Sequence, residues 1–313
     1  MTDAHIKMRR AKKLWQLRSK QLVLGTRTLV MGVVNITPDS FSDGGLYLEP
    51  ERATEHALYL LDEGADLLDL GAESTRPGAQ VVSHAEDSHV AAVSADEEQA
   101  RLLPVLAAVL KARPDAVISV DTYKASTARA AVVAGAEIVN DVSGFTWDAE
   151  MAMACAELGC GVVLMHTRGR PHEWRTQPML DGEPLVRMVR DGLVDSMNTA
   201  LGARISTDAL VLDPGYGFGK RFEENYSLLS RQAELLALGR PLLAGLSRKS
   251  FLRQTLAKHP QLEGGQAGGD AREIASVAAL VTAILHGASI VRVHEVRAAV
   301  EAVAIADAVL AAS

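Results

Sequence analysis

Cysteine is nearly missing from this chain: Cys155 and Cys160 are the only two in 313 residues. They do not form a C-x-x-C pair, and both sit in apolar surroundings. So few thiols exclude a disulfide framework and fit a reducing compartment, so a cytoplasmic protein is expected. Aromatic residues are scarce at 4%, although hydrophobic residues reach 48%. The core must therefore be built from Ala, Val and Leu, which suits helices packed closely around a parallel sheet. No apolar run reaches transmembrane length, so no membrane partner is expected. The basic start (Lys7, Arg9, Arg10, Lys12, Lys13) has no apolar stretch behind it and is not read as a secretory leader. Positive charge is not in excess either. The net charge of −7 argues against a nucleic-acid partner for the chain as a whole and confines any anion site to a local cluster. No Gly-rich nucleotide fingerprint follows the first apolar run, where Gly32-Val33-Val34 stands instead. The carboxylates have no H-E-x-x-H or H-x-x-E companions, so no zinc site is indicated.

What is present is a rhythm. Short apolar runs occur at 29–34, 67–70, 117–120, 137–139, 161–165, 210–212, 241–246 and 289–293. Ala-rich stretches with helical spacing lie between them, at 51–63, 97–111, 126–134, 149–158, 185–201, 223–238, 271–286 and 296–311. Continuous apolar strands are strands buried on both faces. Eight strand–helix pairs in order argue for a single-domain α/β fold, a (β/α)8 TIM barrel over residues 29–313. Residues 1–28 read as a loosely tied N-terminal extension. Two segments break the rhythm: the polar stretch Gln80–Ala95 and the Gly-rich Glu263–Asp270.

In such a barrel the chemistry sits where strands end. Every apolar run here leads to a polar or ionisable group: Asn35; Glu73 to Arg76; Asp121; Asn140-Asp141; His166; Asp213; Ser247 to Ser250; Arg292 and His294. Asp, Asn and Ser are good helix caps, but capping does not call for Arg, Lys and His. Arg292 and His294 are two apart on a strand and share a face; a guanidinium beside an imidazole suits a phosphate or diphosphate. Asp121, Asn140 and Asp213 can receive a ring with several N–H donors, a pterin or a purine. His166 has no neighbour that completes a site and reads as structural. A hard cation such as Mg²⁺, held partly by Asn35 and partly by substrate phosphates, fits the donor set. The most unusual connection is Thr37–Gly45, a long polar loop around the single Phe41, where a plain turn needs fewer residues.

Together these motifs resemble the dihydropteroate synthases. The matching segments are MGVVNITPDSFSDGG (31–45), DLGAESTRPGA (69–79), SVDTYK (119–124), IVNDVSG (138–144), LMHTRG (164–169), LDPGYGFGK (212–220), LSRKSF (246–251) and RVHEV (292–296). The resemblance implies a TIM-barrel homodimer of folate biosynthesis. It would join 6-hydroxymethyl-7,8-dihydropterin diphosphate to 4-aminobenzoate and release diphosphate. On the family pattern Asp121, Asn140, Asp213, Lys249, Met165 and Phe218 bind the pterin. Asn35, Arg292 and His294 hold the diphosphate, with Mg²⁺ on Asn35. Phe41, Thr75, Arg76, Pro77 and Ser250 form the 4-aminobenzoate site. Asp43, Lys249, Arg292 and His294 are the implied catalytic group, with Asp43 facing the developing positive charge.

Departures from the family pattern stand at Ala72, commonly Gly, and Tyr216, commonly Phe, both expected to be tolerated, in the Gln80–Ala95 loop, longer than usual, and in the segment His166 to Arg170, which is not quite the usual one. A pterin-binding methyltransferase would share the ring-binding Asp and Asn but has no use for Lys249, Arg292 and His294. A non-catalytic paralogue would show damage in the first or second loop, and both are intact.

Overall fold

The computed structural model describes residues 11–36, 49–73, 93–180, 182–259 and 269–312. Phe41, Asp43, Thr75, Arg76 and Pro77 lie outside the described residues, as do most of Gln80–Ala95 and of Glu263–Asp270. Each apolar run of the sequence becomes a parallel strand: β3 (Leu29–Asn35), β4 (Leu67–Gly71), β5 (Ile118–Asp121), β6 (Ile138–Asp141), β7 (Gly161–Met165), β8 (Leu210–Asp213), β9 (Leu242–Ala244) and β10 (Ala288–Val293). They close in the order β10-β3-β4-β5-β6-β7-β8-β9, a TIM barrel. The helices are α1 (Glu49–Asp62), α2 (Ala95–Ala112), α3 (Ala125–Val133), α4 (Met151–Leu158), α5 (Gly182–Gly202), α6 (Phe222–Ser230), α7 (Ser250–Ala257), α8 (Gly269–Leu285) and α9 (Val296–Ala312). Among the described residues no helix is long and apolar enough to cross a membrane.

The strands are apolar on both faces because each face meets a different core. Outward residues such as Val30, Val34, Leu68, Leu70 and Val120 pack under the helices. Inward residues Leu29, Met31, Leu67, Val117, Ile138, Val163, Val211, Leu243 and Ile290 fill the lower barrel. In α2 the spacing of the buried Leu102, Val105, Leu106 and Val109 turns one stripe toward the strands. Its start is fixed by Ser94, whose hydroxyl accepts the Glu97 N–H at 3.2 Å, and by acidic residues in the first turn.

Three local expectations are corrected. The N-terminal extension is not a loose lead-in over its described part. Strands β1 (Lys13–Gln16) and β2 (Gln21–Leu24) pair antiparallel. Trp15, Leu17 and Leu24 are fully buried in the same cluster as the barrel's lower interior, so the hairpin forms its floor. Polar ties fix it in place. The Trp15 indole donates to the Ala209 carbonyl at 2.9 Å, the Ser19 N–H to Glu137 at 2.8 Å and Lys20 Nζ to the Asp115 carbonyl at 2.9 Å. The approach is close enough that a Cβ at Gly161 would lie 2.7 Å from Leu17. Second, the helix expected over 223–238 is two pieces, α6 and a 3₁₀ segment, Gln232–Leu238. Gln232 is drawn inward there, donating to the Ala283 and His286 carbonyls at 2.9 and 3.1 Å and accepting the Tyr216 hydroxyl at 2.9 Å. That last bond gives the hydroxyl of Tyr216 a buried partner. Third, α7, which the periodicity did not bring out, begins one residue after Lys249.

If the hairpin is the barrel floor, Trp15→Ala should cost about 3–5 kcal/mol of unfolding free energy in a denaturant titration, the range for a buried tryptophan. A loss under about 1 kcal/mol, the scale of a surface substitution, would show that the floor does not depend on it.

Candidate active site at the barrel mouth

One step of two residues separates the apolar floor from a charged mouth. Side chains two apart on a strand share a face. Above inward Leu67 stands Asp69, above Ile138 stands Asn140, above Val211 stands Asp213, and above Ile290 stands Arg292. Register aligns these rungs: Asp69 pairs with Val33 and Ser119, Gly71 with Asn35 and Asp121, and Asp121 with Asn140.

The side chains knit together. Arg292 Nε donates to Asp69 Oδ2 at 2.6 Å, and its Nη2 donates to Asp121 Oδ2 at 2.7 Å. Asn140 Nδ2 donates to the same Asp69 oxygen at 2.9 Å. Asp213 accepts the Gly215 N–H at 2.7 Å. Gly215 cannot be replaced without moving the loop: its φ is +69°, and a Cβ there would lie 1.9 Å from the His166 carbonyl oxygen. The Lys249 ammonium lies 4.2 Å from the centroid of the Phe218 ring, a cation–π distance. Met165 and Phe218 join Tyr123, Val142 and Trp147 in an apolar cluster at the rim.

Charge is crowded here. Burial pushes the Asp121 carboxyl up to about 7, with Asp69 and Glu98 pushing the same way and Arg292 and Lys249 opposing. Burial and the nearby Arg292 bring the Lys249 ammonium down to about 8, against the pull of Asp213 and Asp121. Burial also raises Asp213, held back by the Gly215 N–H and Lys249. Burial alone would weaken the Arg292 charge, but Asp69 and Asp121 hold it above its ordinary range. A deep acceptor row and two cations thus face one opening. That arrangement can receive a ring of N–H donors below and an anion above.

The residues expected at the site fall into several groups. Asp121, Asn140, Asp213, Lys249 and Arg292 are linked by bonds or mutual electrostatics. Met165 and Phe218 wall the opening. His294 shares the end of β10 with Arg292 but has a different partner, with its Nδ1 3.0 Å from Ser247 Oγ. Ser250 is exposed at the start of α7, and Asn35 is half-buried at the tip of β3. Phe41, Asp43, Thr75, Arg76 and Pro77 fall outside the described residues. His166 is buried and held well below its ordinary pKa by burial and by Lys220 and Arg168. Its carbonyl accepts from Lys220 Nζ at 2.9 Å.

Asp69 was missed in the sequence, as was a second cluster at the stem of the second loop. There Lys124 pairs with Glu73 and, at 3.0 Å, with Glu98, while the Tyr123 hydroxyl donates to Glu73 at 3.1 Å. Among the described residues no group of three or more His, Cys, Asp or Glu could hold a metal ion. The Asn35 amide offers one hard oxygen, which fits a cation whose other ligands are substrate oxygens and water rather than a protein cage.

Residues 31–294 match the family described as pterin binding enzyme. The dihydropteroate synthase of Mycobacterium leprae is 42% identical over 279 residues, 89% of this chain and 92% of that one. A structure of Xanthomonas albilineans dihydropteroate synthase with 4-aminobenzoic acid superposes with a TM-score of 0.82 at 38% identity, covering 96% of this chain and 99% of that one. The same enzyme in complex with 7,8-dihydropteroate superposes with a TM-score of 0.77 at 36% identity, covering 95% and 99%.

The Asp121 shift has a sign that can be tested. With a folded pKa of about 7 against an ordinary 3.8, the folded state keeps a proton that the unfolded chain releases. Its contribution is complete below pH 3.8 and is lost as pH rises toward 7. Asp121→Asn should flatten that decline in unfolding free energy measured across the interval. Parallel pH profiles for the two proteins would contradict the shift.

Proposed function

This chain belongs to the dihydropteroate synthase family of pterin-binding enzymes, and from that membership we propose how its barrel mouth performs the family's reaction. The enzyme is a transferase of folate biosynthesis. It condenses 6-hydroxymethyl-7,8-dihydropterin diphosphate with 4-aminobenzoate to give 7,8-dihydropteroate and diphosphate.

The observation that carries the site assignment is the acceptor row Asp121, Asn140 and Asp213 beside the cations Arg292 and Lys249. The pterin lies against that row, its ring N–H groups donating to the carboxylates, with Met165 and Phe218 on its faces. Arg292 has five N–H donors and uses two on Asp69 and Asp121, which leaves three for the diphosphate. Arg292 and His294 stabilise the charge that collects on the diphosphate as its C–O bond breaks. The electron-rich dihydropterin carries the cation left at its exocyclic methylene. The 4-aminobenzoate nitrogen attacks that carbon and afterwards loses a proton, so no strong base is required. A magnesium ion, with the Asn35 oxygen among its ligands, would neutralise diphosphate charge when bound. On the family pattern Phe41, Thr75, Arg76, Pro77 and Ser250 receive the 4-aminobenzoate, and Asp43 faces the methylene cation.

For cytoplasmic placement the support is two cysteines that are both buried and free. For a homodimer the support is exposed apolar side chains on the neighbouring helices α8 and α9. Ile274, Ile305 and Val309 there are 71%, 70% and 51% exposed. Ile305→Glu should shift the protein to monomer in sizing by light scattering, and an unchanged mass would remove that support.

Incubation with the pterin diphosphate, 4-aminobenzoate and Mg²⁺ should release diphosphate and form dihydropteroate. Absence of both products would overturn the function. Asn35→Ala and Arg292→Ala should each weaken Mg²⁺-dependent binding of the pterin diphosphate, by roughly tenfold or more for the charged contact. Unchanged affinity in both would overturn the diphosphate assignment.

A further inference from the structure

We propose that Asp69 is a positioning residue for this reaction: by binding Arg292 and Asn140 with one buried oxygen, it fixes the hydrogen-bonding pattern that the mouth shows to the substrate. The ligand's identity rests on the function proposed above; the contacts do not.

Asp69 has no exposed surface, so it cannot itself meet a ligand in the mouth. It stands inside β4, one inward step above Leu67, with leucines on both sides in sequence. A carboxyl group in so dry a place needs partners. Two are found, one from each of the proposed subsites. Oδ2 takes the Arg292 Nε–H at 2.6 Å and the Asn140 amide at 2.9 Å, while Oδ1 has no partner among the described residues.

Two consequences follow from the chemistry of a carboxylate. It only accepts hydrogen bonds. Asn140 must therefore turn its NH2 toward Asp69, which leaves its carbonyl oxygen for the ring. Through that oxygen the amide reads a donor on the pterin. The same carboxylate anchors the guanidinium at Nε, the inner edge of the fork. Asp121 takes one Nη2 hydrogen. The remaining donors lie on the outer edge, where a bidentate contact with a diphosphate is made. One carboxylate behind the site sets the direction of the anion clamp and the polarity of the ring reader together.

A residue that only compensated the burial of Arg292 would matter for stability alone. The isosteric Asp69→Asn separates the two roles, because its amide can donate to the Asn140 oxygen and turn that side chain over. In this variant the KM for the pterin diphosphate should rise roughly tenfold to a hundredfold, the range for one charged hydrogen bond, while the KM for 4-aminobenzoate stays put. Affinity for the diphosphate-free 6-hydroxymethyl-7,8-dihydropterin should fall as well, measured by calorimetry. It should fall no further when Asp69→Asn is added to Asn140→Ala. Unchanged KM and pterin affinity, or an equal change for both substrates, would overturn the proposal. A readout without ligand completes the test. Arg292→Ala leaves the buried Asp69 charge with the Asn140 amide alone, so adding Asp69→Asn to it should raise the melting temperature above that of Arg292→Ala alone. A further fall would show that Asp69 does not hold Arg292. If the wild-type protein neither binds the pterin nor releases diphosphate, the proposed function fails, and the melting comparison still decides the contact.

Discussion

A guanidinium shared by two carboxylates sits at the centre of the barrel mouth. Arg292 reaches from β10 to Asp69 on β4 and Asp121 on β5, and Asn140 on β6 closes onto Asp69 from the other side. None of these groups would be stable alone at that depth. Removing one partner of a buried pair costs about 3–5 kcal/mol, because the other charge is left behind. The network therefore fixes its members in place before any ligand arrives. Prearranged dipoles and charges need no reorganisation when charge develops in a reaction, which is where such a site gains its effect.

The barrel supports this with a sharp change of character. Over one inward step, about 7 Å along a strand, the interior passes from Leu and Ile to Asp, Asn and Arg. Below that line the β1–β2 hairpin and the inward residues of every strand make a dry floor. That floor is the low-dielectric side of the site. Burial there pushes Asp121 up to about 7 and, together with Arg292, brings Lys249 down to about 8. The loop holding Phe218 is fixed in turn by buried cations. Lys220 is held by the backbone carbonyls of His166, Gly215 and Phe218, and Arg168 pairs with Glu224 at 3.0 Å.

Much of this was legible in the sequence, and the exceptions have physical reasons. Asp121, Asn140, Asp213 and Arg292 stand out because each is a polar residue near the end of an apolar run, the position that faces the mouth. Asp69 does not, because it lies within the run Leu67–Leu70 and its neighbours make the segment read as uniformly apolar. The signal was there all the same: an acidic residue inside a strand buried on both faces has to be paired with something brought by the fold. The hairpin escaped because its strands are four residues each and mostly half-polar, too short for a period of two to register. Helix α7 escaped because only Phe251 and Leu252 of its eight residues are buried, too few to make an apolar stripe. The partner of His294 could not be foreseen either, since Ser247 comes from another strand's end and only closure of the barrel brings the two together.

The central claim is that Asp69 keeps hold of Arg292 while the outer edge of the guanidinium serves the ligand. Nitrogen-15 NMR of the Arg292 Nε–H, followed as the pterin diphosphate and Mg²⁺ are added, tests it most directly. The account predicts an Nε–H that exchanges slowly with water in the free protein and stays protected at saturation, with the change confined to the Nη groups. An Nε–H that exchanges freely before binding, or is released by it, would contradict the account.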